Sequence, residues 1–280
     1  MAELAASVLI ITKDRPVELA AAMAAARALQ SGAGPHEVIV VYDGERPSAA
    51  TLAGAQVIEG TGEGFAGARN AGVHAARGEI VCFTDDDCVP SAGWADAAIR
   101  HLREHPHEVG VQGPILSQPW DPLYAHSMSL PAPLKTSYWT ANIAYRRALL
   151  ETLGGFDGRF GGVGEDLDLS LRASAHGPIG WCEEMRVEHT PKPVSFRDIV
   201  RRGARARQQA LLHELHAEQF GHAARLPHRL FPLVSILHIW ARQLRAEGPR
   251  ILLRPRRLAR IVGLATGQLY LAAKALLTRP

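Results

Sequence analysis

Apolar residues in this chain fall into short runs closed by polar or turn-forming residues, and longer alanine-rich stretches separate the runs. Ser7-Val-Leu-Ile-Ile-Thr12 is the first run, Glu37-Val-Ile-Val-Val-Tyr42 the second, Gln56-Val-Ile-Glu59 a third, and Ile80-Val-Cys-Phe83 the fourth. Runs this short and this continuously apolar suit strands buried on both faces. Between the first two, Asp14 reads as a helix N-cap, with Pro16 near the first turn, Glu18 in the capping vicinity, and alanine-rich sequence up to Leu29. Ser31-Gly-Ala-Gly-Pro35 is a turn. Residues 60–67 read as a glycine-rich loop leading into a helix through Arg77, and Ala92 to Arg103 as another helix. This alternation predicts an α/β fold with a mostly parallel central sheet covered on both faces.

Past residue 110 the pattern loosens. Prolines at 114, 119, 122, 131 and 133 predict a long irregular segment up to Thr140, of the kind used as a lid or acceptor loop. Helical apolar spacing returns over Leu167 to Ala175, followed by short strands at Ile179 to Cys182 and Met185 to Glu188. Beyond Pro193 the sequence predicts basic, apolar-faced helices over roughly 195–219, 229–246 and 256–277. Arg260, Gln268 and Lys274 interrupt the apolar stretch Leu258 to Leu277, which makes it a poor membrane span. With Arg254, Arg256 and Arg257 beside it, the stretch fits an amphipathic helix lying in an anionic interface.

Length and composition narrow this picture. A chain of 280 residues accommodates one large α/β domain and a smaller appendage, and 47% hydrophobic with 21% charged residues describes a globular protein. Cys82, Cys88 and Cys182 form no C-x-x-C pair, so neither a disulfide framework nor a zinc knuckle is indicated, and a reduced compartment is expected. Val8 to Ile11 is too short for the core of a signal peptide and lacks a basic lead-in. The net charge of +3 hides an asymmetry: residues 191–280 hold 17 Lys+Arg against 4 Asp+Glu, leaving residues 1–190 with a net charge of −10. A basic tail on an acidic body implies an anionic partner such as a membrane surface, nucleic acid or a phosphorylated acceptor.

Four places are candidates for chemistry. Asp85-Asp86-Asp87 follow the fourth strand directly, and crowded carboxylates at the carboxyl end of a strand call for a cation or a hydrogen-bonding ligand; an acidic solvated turn fits the same residues. In Gly62-Glu-Gly-Phe-Ala-Gly-Ala-Arg69-Asn70, glycines precede a helix whose first turns favour an anion, although the run is not a dinucleotide fingerprint. Gly161-Gly-Val-Gly164-Glu165-Asp166-Leu-Asp168 puts flexible backbone before a cluster of acids; such acids also serve simply as favourable charges at a helix start. His189 follows a predicted strand.

In this order and spacing, these segments resemble the family 2 glycosyltransferases of the GT-A fold over roughly residues 5–210. SVLIITKDRP resembles that family's first strand and loop, and VIVVYDGE its second strand with the nucleotide-binding acids. GFAGARNAGVHAARGEIVCFTDDDCVP resembles its Ala-Arg-Asn and DXD region, and TANIAYRRALLETLGGFDGRFGGVGEDLDLSLRASAHG its acceptor-side block. The family commonly has two acids before the glycine after the second strand, and here Tyr42 occupies the first of those positions.

The resemblance implies a GT-A catalytic domain over residues 1–194 and a basic amphipathic helical extension over 195–280. It implies donor contacts from Thr12, Arg15, Asp43, Arg69, Asn70, Asp85 and Asp86, and a Mn2+ or Mg2+ ion held by Asp87 and His189. Asp166 and Glu165 are the implied catalytic residues, Asp166 as the base, and Glu165, Asn142 and Gly164 line the acceptor side. The expected activity is metal-dependent, inverting transfer of a sugar from a nucleoside diphosphate to an acceptor hydroxyl, in cell-surface polysaccharide or glycolipid synthesis. A UDP-sugar is the favoured donor, with GDP- and dTDP-sugars as alternatives, and the acceptor is a glycan or a lipid-linked molecule. The expected location is the cytoplasm, peripheral to the cytoplasmic face of an anionic membrane.

Three other classes compete. A nucleotidyltransferase normally carries a glycine-rich basic loop after its first strand, where this chain has Lys13-Asp14-Arg15-Pro16. A non-catalytic nucleotide-sugar-binding or regulatory protein needs none of the proposed catalytic acids, which are all present. A nucleic-acid-binding protein is prompted by Arg197, Arg201, Arg202, Arg205 and Arg207, but no zinc module or RNA-binding signature accompanies them, and no nucleic-acid partner is expected.

Overall fold

The first apolar run forms β1 (Ala6–Lys13), whose side chains alternate between two cores. It pairs in parallel with β2 (His36–Asp43) on one side and β4 (Ile80–Asp85) on the other, and β3 (Gln56–Glu59) continues the sheet beyond β2. With β6 (Gly110–Gln112), β9 (Ile143–Arg146) and β10 (Ile179–Trp181), the sheet has seven strands in the order β10-β6-β9-β4-β1-β2-β3. Only β9 runs antiparallel to its neighbours, β4 and β6. Val8 and Ile10 pack on one face with Leu19 and Met23 of α1 (Pro16–Arg27) and Trp94, Ile99 and Leu102 of α4 (Trp94–Glu104). Leu9, Ile11 and Phe83 pack on the other with Val73 of α3 (Gly64–Ala75) and Leu169 of α6 (Glu165–Ser174). Burial on both faces is why these strands read as unbroken apolar runs.

This computed structural model describes residues 4–29, 32–117, 125–126, 138–160, 162–190, 192–193, 206–220 and 262. The chain divides into two compact units, Met1–Gln118 with Ser127–Pro191, and Pro119–His126 with Lys192–Pro280. The first unit holds the large sheet and a three-stranded sheet of β5 (Cys88–Pro90), β11 (Val187–His189) and β7 (Ile115–Leu116) in the order β5-β11-β7. In the second unit β8 (Ala125–His126) pairs antiparallel with β12 (Lys192–Pro193), and α7 (Ala206–Leu215) and α8 (Ala217–Phe220) follow. Among the described residues no helix is long and apolar enough to cross a membrane.

Several local expectations change. Asp14 does not cap α1: it adopts φ 52°, and its Oδ1 accepts the Glu45 backbone N–H at 3.0 Å. Its left-handed backbone turns the carboxylate toward the loop after β2, and Arg15 takes the N-cap position without a side-chain bond to the helix amides. The loop before α3 is shorter than the glycines imply, because the helix begins at Gly64. The 110–140 segment is not wholly irregular, since β6, β7 and β8 interrupt it, and its acceptor-loop reading falls mostly on positions outside the described residues. So do the expected helices over 229–246 and, apart from residue 262, over 256–277, and the first part of the one over 195–219, with Arg197, Arg201, Arg202 and Arg205.

Candidate active site

The carboxyl ends of the central parallel strands lie together: Lys13 is opposite Asp43, and Ile11 is opposite Asp85. This is the edge at which open α/β sheets bind ligands. The chain leaves β4 at Asp85 and returns at once in β5, so the acidic triplet sits on the turn between the two sheets.

The three acids have different surroundings. Asp86 is buried; its Oδ2 accepts from Thr12 Oγ1 at 2.8 Å and its Oδ1 from Arg15 Nη1 at 2.9 Å. Thr12 and Asp86, expected as donor contacts, therefore brace the ends of β1 and β4 against each other, and Arg15 holds them from the loop before α1. Asp87 Oδ2 lies 3.6 Å from Arg15 Nη1 and 3.6 Å from His189 Nε2. Strand pairing delivers that histidine: β11 runs antiparallel to β5 with His189 opposite Cys88, and the Thr190 N–H donates to Asp87 O at 2.9 Å. Asp87 and His189 are 7% and 3% exposed. Asp85 is more open, and burial pushes its carboxyl pKa up, with Asp87 and Asp86 adding to a rise that Arg69 opposes.

Across from the triplet, Arg69 is 4% exposed and donates through Nη1 to Glu165 Oε1 at 2.7 Å and through Nη2 to Asp85 Oδ1 at 3.4 Å. Its guanidinium lies 5.6 Å from the ring centroids of both Phe65 and Phe156. The sequence reading missed these two rings, although Phe65 and Arg69 stand four apart on one helix, which is a legible signal. Glu165 is equally buried, and its Oε2 has no hydrogen-bond partner among the described residues.

Asp166 is the next residue on α6. Gly164, in the N-cap position with φ 92°, turns the chain into that helix through a conformation that favours glycine. Asp166 Oδ1 accepts the Leu167 N–H at 2.8 Å. Burial and the neighbouring Glu165 charge push the Asp166 carboxyl up to about 7, against the opposing pull of Arg69. A carboxyl poised there exchanges protons near neutral pH, as a general base must.

The remaining expected contacts separate. Asp43 Oδ1 accepts the Gly62 N–H at 3.2 Å, so it holds the loop before α3 at the mouth of the sheet edge. Tyr42, which replaces the first acid, is buried beneath Arg46. Asn70 clasps the backbone of Phe156 through two 2.8 Å hydrogen bonds, one donated by Nδ2 and one accepted by Oδ1. Asn142, expected on the acceptor side, is 1% exposed; Nδ2 donates to Pro114 O and Met185 O, and Oδ1 accepts from Trp94 Nε1. Both asparagines brace the protein with their amides, Asn70 on the Phe156 backbone and Asn142 between Trp94 and two backbone carbonyls.

The site fits a divalent cation. Among the described residues, Asp85, Asp86, Asp87, Glu165 and Asp166 lie close to the guanidinium groups of Arg15 and Arg69. A diphosphate would add further negative charge, which a 2+ ion offsets. One carboxylate and one imidazole from Asp87 and His189 leave coordination positions for phosphate oxygens and water, the arrangement suited to Mg2+ or Mn2+.

A family model described as Glycosyl transferase family 2 matches residues 7–161. Among solved structures, the chain is similar to the mannosyltransferase PcManGT from Pyrobaculum calidifontis in complex with GDP-Man and Mn2+, at 19% identity and TM-score 0.61, covering 99% of this chain and 88% of that one. S. aureus TarS 1-349 in complex with UDP is similar at 16% identity and TM-score 0.56, covering 96% of this chain and 91% of that one. Against a second, longer TarS structure, at 16% identity and TM-score 0.56, the match covers 94% of this chain but 55% of the other. No curated protein matches the sequence significantly.

Proposed function

The chain belongs to glycosyl transferase family 2 and is a glycosyltransferase of the GT-A fold, and from that premise we propose a metal-dependent, inverting transfer from a nucleoside diphosphate sugar to an acceptor hydroxyl. The observation that carries this reading is Asp166, at the start of α6 beside Glu165, whose carboxyl is pushed up to about 7 against the opposing pull of Arg69. In this reading the base takes the proton of an incoming hydroxyl as its oxygen attacks the anomeric carbon from the face opposite the departing diphosphate. The configuration therefore inverts.

Asp87 and His189 would hold the cation, which when bound offsets the charge that grows on the departing diphosphate. Arg15 steadies Asp86 and Asp87 from the α1 side. Arg69, fixed between Asp85 and Glu165, sets the field felt by Asp166, so Glu165 is a positioning residue. Asp85 and Asp43 are the acids left at the sheet edge for ribose and base.

A UDP-sugar is the favoured donor, and GDP- and dTDP-sugars are the alternatives; the TarS structure holds UDP and the mannosyltransferase structure holds GDP-Man with Mn2+. The acceptor is a glycan or a lipid-linked molecule in cell-surface polysaccharide or glycolipid synthesis, reached from the cytoplasmic face of an anionic membrane. The net charge of +13 over residues 191–280 supports that location.

The test is turnover of Asp166→Asn with donor and acceptor saturating. Loss of general-base assistance lowers kcat by about 10²–10⁴-fold while nucleotide binding persists. Near-normal turnover rules out Asp166 as the base.

A further inference from the structure

The far end of α4 carries a second group of ligating side chains. β4 and β6 both run antiparallel to β9 and therefore parallel to each other, so the residues entering β6 lie at the edge of the sheet opposite the acidic triplet. His101 sits in the last turn of α4, His105 follows as its C-cap, and Glu108 precedes β6. All three are half-buried, and one donor atom from each lies within 4.8 Å of the other two.

Their chemistry is already arranged for a metal. His101 Nε2 and Glu108 Oε2 are 2.8 Å apart, and the rings of His101 and His105 stack with centroids 4.4 Å apart and 25° between planes. His105 Nδ1 lies 2.9 Å from His101 O. A carbonyl only accepts, so in the neutral ring the proton sits on Nδ1 and Nε2 is the nitrogen left to ligate, the tautomer that a neighbouring carbonyl fixes in metal-binding histidines. The neighbouring strand leaves room for these atoms because residue 180 is glycine. A Cβ there would stand 1.9 Å from Glu108 Oε2 and 2.5 Å from His101 Nε2.

We propose that His101, His105 and Glu108 form a site for a borderline divalent cation of the zinc class, separate from the donor site. Two imidazoles and a carboxylate with one open position suit Zn2+, whereas hard Mg2+ and Mn2+ prefer an oxygen-dominated set. Metal bonds of about 2.0–2.1 Å put tetrahedral ligand atoms roughly 3.4 Å apart. The closest pair then opens slightly and the widest closes by side-chain rotation. A His101–Glu108 ion pair alone explains two of these residues but gives the His105 lone pair no purpose. The negative end of the α4 dipole favours a cation at this position. On binding, His101 and Glu108 exchange their mutual hydrogen bond for bonds to the ion, which ties the last turn of α4 to the chain entering β6.

The experiment is calorimetric titration of chelator-stripped, full-length protein with Zn2+, using wild type, His105→Ala, Glu108→Gln and Asp87→Asn. Wild type and Asp87→Asn are expected to share a Zn2+ site that the other two variants weaken at least about 10-fold. X-ray absorption of the loaded Asp87→Asn protein is expected to show a nitrogen and oxygen shell with two imidazoles. Glu108→Gln keeps the side-chain shape and a hydrogen bond to His101, so it reports on the ligand even if His105→Ala misfolds. Equal zinc affinity in wild type and Glu108→Gln overturns the site, as does zinc binding that only Asp87→Asn abolishes.

Discussion

At the residue scale, the same letters serve as ligand or as strut, and burial with its partners decides between them. The Asp166 side chain accepts the Leu167 N–H, and its carboxyl is pushed up to about 7. Its catalytic efficiency should therefore fall as pH drops below about 7, when the base takes up a proton, and a pH–rate profile of kcat/KM in the wild type checks this. Stability follows the opposite sign. The unfolded carboxyl titrates near its ordinary pKa, so the ligand-free folded state binds more protons between there and about 7, and this group's contribution to stability declines as pH rises through that window. Asp166→Asn is expected to raise the melting temperature of the ligand-free protein more at pH 8 than at pH 5, while turnover falls; a uniform shift at both pH values contradicts the raised pKa. Asn142 behaves differently because its amide satisfies Trp94 Nε1 and two backbone carbonyls. Asn142→Leu leaves those groups unpaired and should cost roughly 3 kcal/mol in equilibrium unfolding. A loss of activity without loss of stability would return Asn142 to the acceptor side. The sequence could not separate these roles, since they depend on where Pro114, Met185 and Phe156 bring their backbone groups.

At the element scale, the long apolar runs were legible and the short strands were not. β1, β2 and β4 are buried on both faces, so their hydrophobicity survives any choice of register. β6 is Gly-Val-Gln and β9 ends in Arg146, too short for a period of two to emerge. The antiparallel β9 inside an otherwise parallel sheet was correspondingly invisible. His189 stood out as a residue, but its placement rests on the pairing of β11 with β5, a contact between segments far apart in sequence. Gly164 is the clearest element-level requirement, because α6 starts from a left-handed residue. Gly164→Ala is expected to lower stability by about 1–2 kcal/mol in urea unfolding and to reduce turnover, because Asp166 is the second residue of that helix. Unchanged stability together with unchanged kcat would show that the turn does not aim Asp166.

At the scale of the whole molecule, charge divides the chain: an acidic body carries the site, and residues 191–280 carry a net +13. The full-length protein is expected to sediment with vesicles rich in phosphatidylglycerol at low ionic strength and to be released as the Debye length shrinks to about 3 Å near 1 M salt. Binding equally well to phosphatidylcholine vesicles contradicts an electrostatic membrane contact. Among the described residues five carboxylates of the body lie close to Arg15 and Arg69. In the proposed reaction a donor diphosphate enters that field together with a cation. The most direct measurement is calorimetric titration of the purified protein with UDP, GDP and dTDP, each with and without Mn2+, in wild type and Asp87→Ala. Expected is binding of one nucleotide only when Mn2+ is present, lost in Asp87→Ala. Binding that is equally tight without metal and undiminished in the variant, or no binding of any of the three, contradicts a metal-dependent donor site at Asp87 and His189.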